Sequence, residues 1–156
     1  YRMASSSLQK NIALLTKLES YLELHQKLND TISGETIGWH IAHSCQVINT
    51  ITNAITHSDA SKAKPKFSFL YHWIMFTNKI PRGKAKAPNI VIPKKTITRA
   101  EIVEEIELAK ANLQTLSSTR QDKYFTHPIF GDLNVPKTLR FFTVHTNHHL
   151  KIIQDI

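Results

Sequence analysis

The stretch RFFTVHTNHHLKII, residues 140–153, places three histidines within five positions of a run that otherwise reads as a buried helix. Imidazole is the commonest metal-binding side chain, so histidines on a packing face raise the question of a shared ion. Positions four apart on a helix differ by only about 40° around its axis. His145 and His149 therefore share a face, with Phe142, Ile152 and Ile153 on or beside it. His148 lies about 100° from His149 and points elsewhere. Two ligands from one helix need at least one more from another element. The segment TIGWHIAHSC, residues 36–45, offers His40 and His43 at a spacing of three. His40 lies nearer the centre of that segment's apolar stripe. His43 lies at the rim, close to Trp39, where a ligand could leave its metal open to substrate. Histidines at the edge of a packing face are the competing reading, and periodicity alone leaves both His40 and His43 as candidates.

These residues must be positioned by helices. Residues 6–25 carry Leu8, Ile12, Leu15, Leu18, Leu22 and Leu24 at the 3–4 spacing of an amphipathic helix. After the turn-forming NDTISGE, residues 35–56 repeat the pattern with Ile37, Ile41, Ser44, Ile48, Ile51 and Ile55 on one stripe. THSDASKAKPK is a linker. Residues 67–79, FSFLYHWIMFTNK, form a short aromatic-rich helix that stops before Pro81. Prolines at 81, 88 and 93 prevent a long regular element between residues 80 and 95. Thr98 and Glu101 have capping-box spacing ahead of a helix running to about residue 117, with Ile102, Ile106, Ala109, Leu113 and Leu116 on one face. SSTRQDKYFTHPIFGDLN is a loop with short extended pieces, and Val135-Pro136 opens the last helix, where proline is tolerated. Four substantial helices and one shorter one predict an all-α, four-helix bundle. No internal repeat is present.

Composition narrows the class. The 156 residues predict one domain, 1–156, long enough to bury a core without staples. Hydrophobic residues at 41% and charged residues at 21% are ordinary for a globular protein. Four glycines disfavour a turn-rich all-β fold. The single cysteine, Cys45, excludes an internal disulfide, and with no signal-like stretch in YRMASSSLQK the expectation is a cytoplasmic protein. No apolar run approaches the roughly 20 residues that span a bilayer. The formal charge of +8 is local: residues 60–100 hold ten Lys or Arg and no Asp or Glu.

The pieces TIGWHIAHSCQVI and HPIFGDLNVPKTLRFFTVHTNHHLKII together resemble the DinB-like superfamily, closest to a branch in which GWHIxHS and HTxHHLxII stretches recur beside a loop like NKIPRGKAKAP. The resemblance runs from about residue 35 to the end; the first helix is generic. It implies a four-helix bundle with a long crossover, commonly a homodimer, with a three-histidine metal site built from one ligand on the second helix and an HxxxH pair on the last. Carried onto this chain, the pair is His145 and His149, and the second-helix ligand falls on His43; an alignment shifted to HIA would choose His40. The implied cofactor is one divalent ion, zinc or nickel, which suit neutral imidazoles better than calcium or magnesium do. Such a site leaves positions for water, whose pKa a divalent metal lowers toward neutrality. Relatives implied by the resemblance are metal-dependent thiol transferases and amide hydrolases or isomerases acting on small molecules. No general base is identifiable in the sequence.

The alternative function is a non-catalytic module that uses residues 60–100, where lysines interleave with aromatics, against nucleic acid or another acidic partner. The plainer expectation there is an aromatic core helix flanked by solvated lysine loops, with no specific nucleic-acid binding. The PRGKAKAP loop could border the metal pocket, with Arg82 its best bidentate binder of a carboxylate or phosphate. Cys45, roughly 200° around the helix from His43, reads as a small core residue. His127, ahead of Pro128, reads as structural, and His25, His57 and His72 as solvent-facing or packing residues.

Overall fold

The computed structural model describes residues 2–83 and 88–156, with side chains from residue 6 onward. Five helices follow one another along the chain: α1 (Arg2–Glu19), α2 (Ile37–His57), α3 (Phe69–Thr77), α4 (Arg99–Ser118) and α5 (Val135–Asp155). A hairpin of β1 (Tyr124–His127) and β2 (Gly131–Asn134) precedes α5. The long helices form the bundle, with α2 against α4, α1 against α5, and the α1–α4 and α2–α5 contacts closing the ring. Residues 58–98 make the long connection between α2 and α4, and α3 lies within it.

Each start has a local cause. The Thr36 hydroxyl accepts from the Trp39 N–H at 3.1 Å and caps α2. Thr98 and Glu101 form the capping box of α4, and Asn134 caps α5 with a proline in its first turn. The first helix stops at Glu19 rather than running to His25, and Leu22–Leu24 tighten into a 3₁₀ turn. The reason is tertiary. The carbonyls of His25 and Lys27 accept from the N–H groups of Gly38 and Ile37, at 2.8 and 3.0 Å, so the chain bends to dock on the start of α2. A Cβ at residue 38 would meet the His25 carbonyl oxygen and Ile102 Cδ1, each at 2.9 Å. Only glycine allows that approach.

The apolar stripes read from the sequence meet in one core, with Leu15, Leu18, Ile41, Ile48, Ile55, Ile102, Ile106, Leu113, Leu116 and Phe142 inaccessible or nearly so. Leu24, placed on the first stripe by its spacing, is exposed because α1 has already ended. Polar ties add register. Asn11 on α1 donates to the Leu139 carbonyl of α5 at 3.0 Å. On α4, Glu105 accepts from Gln46 and Asn49 of α2 at 3.1 and 2.8 Å.

The short extended pieces ahead of the last helix pair as a two-stranded hairpin, Tyr124 with Asn134 and His127 with Gly131, beside an otherwise helical fold. One expectation changes. The aromatic helix α3 is not a core helix. Tyr71, Ile74 and Met75 face inward, whereas Phe69, Trp73 and Phe76 are exposed at 71%, 56% and 84%. It is held by α5: the Tyr71 hydroxyl donates to the Lys137 carbonyl at 2.9 Å. Arg140 donates to the Met75 carbonyl and to the Asn78 side-chain oxygen, capping a helix that ends at a left-handed Asn78. Among the described residues, no helix is long and apolar enough to cross a membrane.

Candidate metal centre

The second and last helices face each other, and their histidines meet. His43, His145 and His149 each offer a ring nitrogen, and the three nitrogens lie within 4.8 Å of one another. The ring centroids stand 5.2 Å apart for His43 and His145, and 4.7 Å for each pair that includes His149. His43 and His149 are buried and His145 is half-buried. Among the described residues this is the metal-type cluster of histidine, cysteine or carboxylate groups.

What surrounds the rings decides which nitrogens are available. His43 Nδ1–H donates to the Val91 carbonyl at 2.6 Å. A carbonyl can only accept, so the proton sits on Nδ1 and the lone pair is left on Nε2. Trp39 stacks on the same ring at 5.0 Å and 16° between planes. His149 Nδ1 bonds His40 Nδ1 at 3.0 Å, and His40 Nε2 bonds Ser33 Oγ at 2.9 Å. When His149 Nδ1–H is the donor, its Nε2 is free to bind an ion, and the His40 Nε2–H donates onward to Ser33. The opposite tautomers put a proton on His149 Nε2 and close it to metal. His145 Nδ1 is sealed from solvent and has no partner among the described residues. An unsatisfied buried nitrogen costs about 1–3 kcal/mol.

Burial also sets the charge of the rings. Desolvation lowers the pKa of His43, against the opposing effect of the Val91 bond. It holds His145 and His149 well below the usual histidine range, reinforced by the neighbouring histidines. His40 and His148 are pushed down to about 4 by the same cause, with His43 next for His40 and Arg82 next for His148. The rings are therefore neutral at pH 7, as metal coordination requires. The residues present fit a divalent ion by number, protonation and ligand softness.

The sequence pattern placed His145 and His149 on one face, and they converge there. It left His43 and His40 open, and the two have different partners: His43 joins the cluster, while His40 stands behind His149. His43 is as deeply buried as His40, so it is not at an exposed rim. His148 lines the adjoining cavity but lies outside the cluster. Cys45 is buried in the core, and burial pushes its thiol up. His57 and His72 are exposed, and His25 caps its own turn through the Leu22 carbonyl at 3.0 Å. Arg82 lines the cavity too, but it pairs with Asp155 at 2.6 Å. Residues 84–87 of the PRGKAKAP loop lie outside the described residues. The Val91 carbonyl and Ser33 carried no signal, since one is backbone and the other a common turn residue.

The cluster opens on a cavity of about 1350 Å³ with an apolar lining that includes Trp39, Val47, Ile74, Phe125, Phe130 and Phe141. Compared with protein-family models, residues 23–153 match that of the DinB superfamily. The chain belongs to the DinB superfamily. Neither curated proteins nor solved structures provide a match. In this DinB protein the match spans α2 through nearly all of α5, and thus every histidine of the cluster. It leaves out α1, the helix whose sequence is generic.

Proposed function

We propose that this DinB protein binds one divalent ion, zinc or nickel, through His43, His145 and His149, and is a metal-dependent enzyme of thiol-transferase or hydrolase type acting on a small molecule. The observation that carries the reading is the convergence of three neutral imidazoles from two helices within 4.8 Å, beside a large cavity. A divalent ion there would supply Lewis acidity toward a carbonyl or lower the pKa of a substrate thiol. The chain's own residues hold the rings. Val91 and His40 orient His43 and His149 through Nδ1, Trp39 stacks on the His43 ring, and the apolar cavity wall limits water around a bound substrate. The ligand set has hydrogen-bonded supports of the kind that tune metal sites.

The test is elemental analysis of purified protein together with titration of metal-stripped protein by zinc and by nickel at neutral pH. About one ion per chain is expected. Metal-free protein that takes up neither ion would end the proposal. Activity is then sought with loaded protein on thiol conjugates and amides.

A further inference from the structure

His127 has a feature that a structural histidine does not need. Its Nδ1 accepts from two backbone N–H groups, those of Ile129 and Phe130, at 3.1 and 3.3 Å. The ring stacks on Phe130 at 4.3 Å and meets Phe141 edge-on at 5.1 Å. Because both backbone groups can only donate, Nδ1 carries no proton, and the neutral ring must carry it on Nε2. Desolvation pushes the pKa down to about 4, so the ring is neutral under ordinary conditions. Nε2 has no partner among the described residues, yet it is not one of the sealed, unpartnered atoms. The ring lines the same cavity as the histidine cluster, and Phe141 stands between them, 5.5 Å from the His145 ring. The hairpin thus leaves one donor unpaired among the described residues, its tautomer locked by backbone, on a ring that lines an apolar chamber; the hydroxyl of the neighbouring Thr126 already donates to Asp132 at 2.6 Å.

The chamber defines what that donor meets. At about 1350 Å³ it exceeds the roughly 300–1,000 Å³ of usual small-molecule sites. Its apolar lining favours an aromatic or aliphatic body. In the metal-stripped protein a charged group would find little support among the described residues: His127 is neutral, Arg82 is paired with Asp155, and Lys79 is exposed to solvent. Glu35 is the one carboxylate among the described lining residues, which further disfavours an anion.

We infer that the cavity takes an apolar molecule bearing a neutral carbonyl oxygen, and that His127 Nε2–H is the specificity-determining donor that holds that oxygen. The inference rests on the proposed function for its reaction, but its binding test does not. The probes are 2-acetylnaphthalene and 2-isopropenylnaphthalene, which differ essentially in a carbonyl oxygen against a methylene, with 2-naphthoate as the anionic arm. Binding is measured by calorimetry on zinc-loaded and metal-stripped protein, alongside the zinc titration. The ketone is expected to bind about three- to tenfold more tightly than the hydrocarbon, as one neutral hydrogen bond allows. His127→Asn keeps an oxygen able to accept from the turn N–H groups but lacks the reach of Nε2. It should retain the parent melting temperature and hydrocarbon affinity while losing the ketone preference. On metal-stripped protein, equal binding of ketone and hydrocarbon by the parent, tighter binding of 2-naphthoate than of the ketone, or an undiminished preference in His127→Asn would each overturn the inference. So would failure of both neutral probes to bind. Protein that takes up zinc but shows no ketone preference contradicts this inference alone, and protein that prefers the ketone but takes up no metal contradicts the metal reading alone.

Discussion

The two nitrogens of His149 have separate tasks, and that separation distinguishes the histidines around it. Nδ1 is engaged by His40, so only Nε2 can face an ion. His149→Ala should abolish tight zinc binding, since it removes one of three nitrogens, and His43→Ala should do the same. His148→Ala should leave the affinity nearly unchanged, because that ring lies outside the cluster. His40→Ala should weaken binding by about 10- to 100-fold, the usual effect of losing a partner that orients a ligand. Zinc affinities from competition with a chromophoric chelator check all four, with helical content compared against metal-stripped parent. An intact affinity in His149→Ala would show that the ion sits elsewhere.

Between elements, the start of α2 is where a single atom matters most. The Gly38 hydrogen lets the segment after α1 pack on the helix, with the His25 carbonyl accepting from the Gly38 N–H at 2.8 Å. Gly38→Ala sets the helix-propensity gain of about 1 kcal/mol against a clash with a backbone oxygen that cannot rotate away. Overpacking costs of about 1–3 kcal/mol predict net destabilisation, measured as a lower urea midpoint at unchanged slope. Zinc affinity should fall too, because Trp39 and His40 follow directly in the same turn. A variant as stable as the parent would show that the contact relaxes freely. Position 38 reads as an unremarkable glycine in the sequence, because the atoms it must admit come from residues 13 and 64 positions away.

Across the whole molecule, the depressed histidines couple stability to pH. His40, His127 and His148 titrate near 4 in the fold against about 6.5 when unfolded, and His43, His145 and His149 are lowered as well. Between these limits the unfolded chain binds more protons than the native one, so stability falls as pH drops from about 6.5 toward 4. Each such proton contributes on the order of 1 kcal/mol per pH unit. Metal-stripped protein should therefore melt progressively lower over that window, and a flat profile by differential scanning calorimetry would contradict the buried, neutral rings. The local excess of ten Lys or Arg in residues 60–100 predicts a second whole-molecule property. Binding to duplex DNA should be weak near physiological salt and decline steeply as salt rises. Tight, sequence-selective binding there would instead favour the nucleic-acid alternative.

Helix periodicity carried much of this protein by itself. The stripes Ile37–Ile41–Ile48–Ile55 and Ile102–Ile106–Leu113–Leu116, the capping box of Thr98 and Glu101, and the shared face of His145 and His149 all follow from spacings within one helix, where geometry is local. Three other matters were not contained in that periodicity. The choice between His40 and His43 turned on how α2 is rotated against α5, which no periodicity within α2 contains. The outward aromatic face of α3 depended on Arg140 and Lys137 of the last helix holding the short helix by its end. The locked tautomer of His127 depended on a hairpin turn aiming two N–H groups at one nitrogen. Side-chain direction on one helix is a property of the sequence; which of those directions meet is settled by packing, because it depends on the rotation and approach of elements that the core brings together.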